Sequence, residues 1–128
     1  MTIPTEAVDI PAAVRVLAPH ADLTCVWVNG YGGLTFRASD DDDDDDRFIK
    51  WGPLNDESSL RDEAERMTWA GQYMTVPRVL DHGQDQTHEW MVTRALPGLS
   101  AVDPRWSAEP AVAVRAVGEG LRALHERL

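Results

Sequence analysis

A lysine at the end of a short strand-like segment most constrains the fold of this chain. Lys50 follows the apolar pair Phe48 and Ile49, and it is the only lysine among the 128 residues. A glycine-rich turn between two strand-like runs precedes this segment, and a helical pattern that carries Glu63 follows it. The rest of the chain is therefore interpreted around Lys50.

Five segments have a strand composition, rich in β-branched and aromatic residues and bounded by turn residues. They are residues 21–28, 34–38, 48–51, 76–83 and 89–93. Asn29-Gly30 and Gly32-Gly33 permit positive φ angles, so we expect a hairpin between the first two strands. Such hairpins also occur in many proteins that bind no phosphate, and from these residues alone both interpretations stay open.

Three further segments have helical periodicity. They are residues 10–17, with Pro11 in the first turn, residues 60–74 and residues 108–128. Gly52-Pro53 is expected to end the third strand, residues 55–59 to cap the second helix, and residues 103–106 to form a turn. This pattern predicts an α+β fold in which one helix packs on a five-stranded antiparallel sheet.

Glu63 borders the apolar stripe of the second helix. The stripe spans about 320° through 40° on a wheel of 100° per residue, with Glu63 at about 300° and Glu65 at about 140°. A charged residue at the edge of a buried face usually has a partner. We therefore expect an ion pair between Glu63 and Lys50 that belongs to a functional site. The alternative is that Glu63 forms only an ordinary salt bridge on the protein surface.

Residues 40–46 are seven consecutive aspartates, and they dominate the net charge of −10. Without them, the chain has 12 basic and 15 acidic side chains, so its net charge would be −3. Because like charges repel one another, we expect this run to be a solvated, dispensable loop. Loose binding of Ca²⁺ or Mg²⁺ is the alternative, although a specific site needs ligands in fixed geometry.

Several classes of protein are disfavoured by composition. Cys25 is the only cysteine, so no internal disulfide is expected. No stretch has the pattern of a signal peptide or the roughly 18 apolar residues of a membrane helix. Nucleic acid is an unexpected partner because no basic patch is present. We expect a soluble, cytoplasmic protein.

Taken in order, five segments resemble the aminoglycoside 3'-phosphotransferases, antibiotic kinases with a protein-kinase-like fold. The similarity runs from about residue 26 to residue 128. The segments are Asn-Gly-Tyr-Gly-Gly-Leu-Thr-Phe-Arg, Phe-Ile-Lys-Trp, Arg-Asp-Glu-Ala-Glu-Arg-Met-Thr-Trp, Val-Pro-Arg-Val-Leu and Leu-Arg-Ala-Leu-His. The resemblance implies a kinase-like nucleotide-binding N-terminal lobe at residues 1–95. Residues 96–128 would be the hinge or linker and the first helix of a C-terminal lobe.

The resemblance also implies roles for individual residues. Lys50 would contact the α- and β-phosphates of ATP, Glu63 would hold Lys50, and Phe48 would stack on adenine. Backbone groups of Thr93 and Ala95 would read the adenine edge. The loop over the phosphates would consist of Gly30, Tyr31, Gly32 and Gly33.

The catalytic aspartate of the family lies in a His-Gly-Asp segment, which this sequence lacks, as it lacks the metal-binding aspartate that follows. We therefore expect the nucleotide-binding part of an enzyme that phosphorylates an aminoglycoside hydroxyl. ATP would be the cofactor, with Mg²⁺ bound by residues outside this chain. Alone, the chain is expected to be inactive, and its uncovered last helix to favour self-association. A kinase for another small molecule and a non-catalytic interaction module are the alternatives.

Overall fold

The computed structural model describes residues 2–40, 45–55, 59–98 and 103–127. The predicted α+β class and five-stranded antiparallel sheet are confirmed. In chain order the described elements are α1 (Ala12–Leu17), β1 (Asp22–Val28), β2 (Leu34–Ser39), β3 (Arg47–Pro53), α2 (Leu60–Ala70), β4 (Val79–Gln84), β5 (His88–Arg94), α3 (Pro104–Ala108) and α4 (Pro110–Arg127).

Strand β3 lies at the centre of the sheet, whose order is β1-β2-β3-β5-β4. Lys50 is paired with Thr35 on one side and Met91 on the other, whereas Ile49 is paired with Phe36 and Val92. Because successive side chains point to opposite faces of a strand, these two sets lie on opposite faces of the sheet. Lys50 therefore points away from the face that contains Ile49.

The main core covers the Ile49 face of the sheet. Phe36 and Ile49 are fully buried there, together with Val14 of α1. The sequence predicted that Pro11 lies in the first turn of α1, but in the structure Pro11 is the N-cap of this helix. Its carbonyl accepts hydrogen bonds from the N–H groups of Val14 and Arg15, at 3.0 and 3.1 Å. Helix α1 thus begins at Ala12, two residues later than expected, and Val14 is buried in the core.

Helix α2 packs on the opposite side, against β4 and β5. The Ser59 hydroxyl caps its first turn by accepting a hydrogen bond from the N–H of Asp62 at 3.3 Å. Asp62 and Glu63 lie in this turn, where negative charge interacts favourably with the helix dipole. The predicted cap region thus contains the cap, although residues 56–58 lie outside the described ranges.

Several predicted boundaries were wrong. Strand β3 continues through Gly52 and Pro53 because β5 supplies partners for both, Glu89 and His88. Helix α2 ends at Ala70, with Gly71 as its C-cap, rather than at residue 74. Strand β4 begins at Val79 rather than at residue 76. In each case a partner strand or a cap sets the boundary, and local composition does not reveal it.

The segment predicted as a turn at residues 103–106 enters a short helix. Asp103 caps α3 by accepting a hydrogen bond from the N–H of Arg105 at 2.9 Å, and Pro104 occupies the first helical turn. Both features favour a helix start as well as a turn. The closing helix α4 consequently begins at Pro110 rather than at residue 108.

Helix α4 exposes its apolar stripe, as the sequence predicted. Val114 is 72% exposed, Val117 64% and Leu121 53%, while Leu128 lies outside the described residues. The Arg127 guanidinium donates a hydrogen bond of 2.9 Å to the carbonyl of Tyr73, which lies in the turn after α2, and so connects α4 to that turn. No helix in the described ranges is long and apolar enough to cross a membrane.

Asp85 organises the hairpin between β4 and β5. Its Oδ1 atom accepts hydrogen bonds from the N–H groups of Thr87 and His88, each at 2.8 Å. These bonds favour the ionised carboxylate and hold the pKa of Asp85 below its usual value. The turn therefore stabilises the fold fully at pH values above the normal carboxyl pKa, and this contribution is lost as pH falls through the lowered folded-state pKa.

We expect Asp85→Asn to remove this pH dependence while keeping an oxygen acceptor at the turn. Urea unfolding of both proteins between pH 7 and pH 3 measures the effect. The stability advantage of the wild-type chain over Asp85→Asn should shrink as the solution is acidified. A difference that stays constant over this range would contradict the assignment.

Candidate functional site

Lys50 and Glu63 form the ion pair that the sequence predicted. The Lys50 Nζ atom lies 2.5 Å from Glu63 Oε1, and the two side chains are 43% and 37% exposed. Lys50 is placed by β3, and Glu63 by the first turn of α2. The ammonium group is therefore held in one position but remains accessible to a ligand.

A cavity of about 290 Å³ surrounds this pair. Its walls come from the ends of β1 and β5, the turn after β1, strands β2 and β3, and the start of α2. Among the described residues, the charged side chains that line the cavity are Lys50, Glu63 and Glu89. Glu89 is 6% exposed and was not singled out from the sequence, because its place in the cavity depends on the pairing of β5 with β3, in which Glu89 lies opposite Gly52.

The predicted glycine loop is a tight turn organised by Asn29. The Asn29 Oδ1 atom accepts hydrogen bonds from the N–H groups of Tyr31 at 2.9 Å and Gly33 at 2.8 Å. Gly32 has a φ angle of +82°, which favours glycine. Tyr31 and Gly33 line the cavity, whereas Gly30 and Gly32 are not among its lining residues.

Gly52 permits a close approach between this turn and β3. A Cβ atom on Gly52 would lie 3.0 Å from the Cα atom of Gly33, closer than backbone atoms normally allow. The glycine predicted to end β3 instead allows the strand to pass beneath the turn. The turn therefore lies directly above the part of β3 that follows Lys50.

A β-bulge brings Trp27 to the cavity. Cys25 is paired with Phe36, but Trp27 is paired with Thr35, so the register shifts between them. Without the shift, Trp27 would share the face of Cys25; with it, Trp27 lies on the face of Thr35 and Lys50 and lines the cavity. Sequence alternation alone did not reveal this residue.

The residues assigned to the adenine base lie beyond the cavity lining. Phe48 is on the Lys50 face of β3, opposite Thr93, which is 7% exposed. The N–H of Ala95 donates a hydrogen bond of 2.9 Å to the carbonyl of Asp46. A base that reads Ala95 would have to replace this partner.

The described residues of the aspartate run form ion pairs, and Asp46 differs from the solvated loop that we expected, whereas Asp40 and Asp45 are 41% and 56% exposed. Asp46 is ion-paired with Arg37 at 2.7 Å and its side chain is 13% exposed. Asp40 lies 3.3 Å from Arg47, and Asp45 lies 3.7 Å from Arg94. Residues 41–44 lie outside the described ranges. Arg37 and Arg47 flank the run in the sequence, on β2 and β3, whereas Arg94 is brought to it from β5 by the folded sheet.

The described residues provide no fitting site for Mg²⁺. This ion prefers several oxygen ligands in octahedral geometry. In residues 2–40, 45–55, 59–98 and 103–127, no group of three or more His, Cys, Asp or Glu side chains is arranged to hold a metal ion.

Comparison with known proteins identifies the family. The model of the Phosphotransferase enzyme family matches residues 24–127, most of the chain. The chain belongs to this family. The match includes the sheet except the first two residues of β1, the Lys50–Glu63 pair and all of α4.

Curated members of the family are similar over most of this chain. An aminoglycoside 3'-phosphotransferase of Streptomyces ribosidificus is 40% identical over 119 residues, covering 90% of this chain and 44% of the relative. A streptomycin 3''-kinase of Streptomyces griseus is 35% identical over 119 residues, covering 91% and 42%. The chain thus spans less than half the length of these relatives.

A solved structure of the family shares the fold. The crystal structure of an aminoglycoside-3'-phosphotransferase of type VIII aligns with a TM-score of 0.59 and 31% sequence identity. The alignment covers 70% of this chain and 33% of that chain. This neighbour supports the predicted kinase-like arrangement of the sheet and its helices.

We expect the Lys50–Glu63 pair to contribute little to the stability of the fold. Both side chains are more than one-third exposed, and solvent screening limits such pairs to about 0–1 kcal/mol. A double-mutant cycle with Lys50→Met and Glu63→Gln, measured by urea unfolding, gives the coupling free energy. A coupling above about 2 kcal/mol would show that the pair is a structural element instead.

Proposed function

We propose that this chain supplies the ATP-binding part of an enzyme that phosphorylates a hydroxyl group of an aminoglycoside antibiotic, and so confers resistance. Residues 1–95 form the nucleotide-binding lobe. Residues 96–128 form the hinge and the first helix of a second lobe. Catalysis requires Lys50 and Glu63 as positioning groups for the triphosphate.

The observation that carries this proposal is the position of Lys50 in the cavity. Its ammonium group is bound to Glu63 and lies on the same sheet face as Thr35, near the turn at Asn29. An ammonium group fixed in this way is a point charge for phosphate oxygens. Because Glu63 holds it in place, less side-chain freedom is lost when a phosphate binds.

The base would bind next to the hinge. Phe48 offers an aromatic surface two residues before Lys50 on the same sheet face, and Thr93 lies opposite. The Ala95 N–H is a suitable donor for the base edge once Asp46 has been displaced. In this proposal the base lies on the hinge side of Lys50 and the phosphates lie beneath the turn.

The antibiotic class follows from the relatives. Both the 3'-phosphotransferase and the streptomycin 3''-kinase are similar to about nine-tenths of this chain. Their names indicate different aminoglycoside positions, so the proposal specifies an aminoglycoside hydroxyl and no particular position. Antibiotic binding requires residues beyond the nucleotide lobe.

Nucleotide binding by the chain alone should be weak. The described residues that line the cavity include one cation and two carboxylates, Glu63 and Glu89, so their electrostatic attraction for a polyphosphate is limited. The exposed stripe of α4, with Val114 and Val117, also favours self-association of the isolated chain.

We expect Lys50→Ala to weaken ATP binding by the purified chain about tenfold or more, because a charge-assisted contact to phosphate is lost. Titration calorimetry measures the dissociation constant. Arg61→Ala is the matched control, since Arg61 is 71% exposed, pairs with Glu65 and does not line the cavity. Equal losses in both variants would point to a general charge effect and contradict the role of Lys50.

We also expect no phosphoryl transfer by these 128 residues alone. Transfer needs a carboxylate that orients the attacking hydroxyl and stabilisation of the developing charge, and these 128 residues contain neither the His-Gly-Asp segment nor the metal-binding aspartate that serve these purposes in the family. The chain should give no phosphorylated aminoglycoside above a no-protein control when incubated with radiolabelled ATP and Mg²⁺. Turnover that survives repurification and vanishes in Lys50→Ala would overturn this expectation.

A further inference from the structure

Asp46, the last residue of the aspartate run, accepts a hydrogen bond from the Ala95 N–H, the group proposed to bind the base. The hydrogen bond from the Ala95 N–H to the Asp46 carbonyl adds one rung to the β3–β5 ladder beyond the pair of Arg47 and Arg94. An antiparallel ladder saturates the donors and acceptors that face the partner strand. A base that approaches Ala95 can therefore accept a hydrogen bond from its N–H only after the bond to the Asp46 carbonyl is broken.

The side chain of Asp46 fastens this rung. Arg37 donates to Asp46 Oδ2 from Nε at 2.8 Å and lies 2.7 Å from the same oxygen through Nη2. The guanidinium group also lies over the Phe48 ring, with Cζ 5.3 Å from the ring centroid. One arginine thus holds Asp46 at the hinge and covers the aromatic ring assigned to base stacking.

We propose that Asp46 and Arg37 determine the nucleotide affinity of this chain by closing the base site from within. Asp46 competes with the base for the Ala95 N–H, and Arg37 competes with it for the surface of Phe48. The proposal rests on the proposed nucleotide-binding function. It assigns to the aspartate run a role that its composition did not indicate.

Burial of an unpaired oxygen of Asp46 opposes the contacts that hold Asp46 at the hinge, so a ligand can displace this residue more easily. Asp46 Oδ1 is buried and has no hydrogen-bond partner, while both contacts from Arg37 go to Oδ2. A buried, unsatisfied polar oxygen opposes burial. When Asp46 moves away from the hinge, Oδ1 regains water, and this gain offsets part of the lost ion pair.

Two substitutions with opposite effects on net charge test the competition. Asp46→Ser removes a negative charge and the partner of Arg37, and Arg37→Gln removes a positive charge and the cover of Phe48. Both should release the hinge. Arg47→Gln is the matched control, because Arg47 binds Asp40 of the same run but lies on the other face of β3 from Phe48.

The probe is adenosine, which lacks the phosphates that would respond to the altered charge. Dissociation constants are measured by NMR titration of the labelled chain, and ATP is titrated in parallel. Both test variants should bind adenosine about threefold more tightly or better, the gain expected from releasing one net hydrogen bond. Arg47→Gln should stay within about twofold of wild type. The Ala95 amide should exchange with solvent faster in Asp46→Ser than in wild type.

Each other outcome overturns the inference in a recognisable way. Unchanged or weaker adenosine binding in both test variants, with wild-type binding intact, rejects the competition but leaves the nucleotide site standing. Tighter binding in only one of the two indicates an effect of charge or of local packing. Absence of adenosine and ATP binding in wild type and all variants rejects the proposed function, and the competition with it.

Discussion

The alternation of side chains along β3 is the constraint on which the site depends. Ile49 is fully buried in the core on one face of the sheet. Its neighbours Phe48 and Lys50 must therefore project from the other face, where α2 and the cavity lie. A shift of one residue in the pairing of β3 would bury the lysine and expose the isoleucine. The free energy of core burial thus fixes the register that brings Lys50 to Glu63.

The parts of the site that follow from local periodicity were predictable from the sequence. The helical period around Glu63 placed it at the edge of the buried face, and Lys50 was expected as its partner because it is the only lysine in the chain. Trp27 was not predictable in this way. Its face depends on the register shift after Cys25, which exists only in the pairing of β1 with β2.

The aspartate run shows a second limit of sequence reasoning. Charge counting treats residues 40–46 as self-repelling and solvated, and it considers no partner outside the run. The sheet order places Arg37, Arg47 and Arg94 on three neighbouring strands near the ends of that run. Arg37 and Arg47 flank the run, but which aspartate each one binds depends on the β2–β3 hairpin, and Arg94 reaches the run only through the pairing of β3 with β5, so composition does not reveal these partners.

The ion pairs Lys50–Glu63 and Arg37–Asp46 differ in how far their carboxylates are exposed to solvent. The pair of Lys50 and Glu63 is half-exposed, so water and salt screen it and the ammonium group stays open to a ligand. In the pair of Arg37 and Asp46, the carboxylate is mostly buried and one of its oxygens lacks a partner. The half-exposed Lys50 ammonium group can bind a phosphate while it stays paired with Glu63. The Arg37–Asp46 pair, whose carboxylate is mostly buried, must be broken before a ligand can take its place. Under the proposed function, the same sheet face would combine an accessible phosphate position at Lys50 with a base position that has to be opened, and the opening would limit how tightly a nucleotide binds.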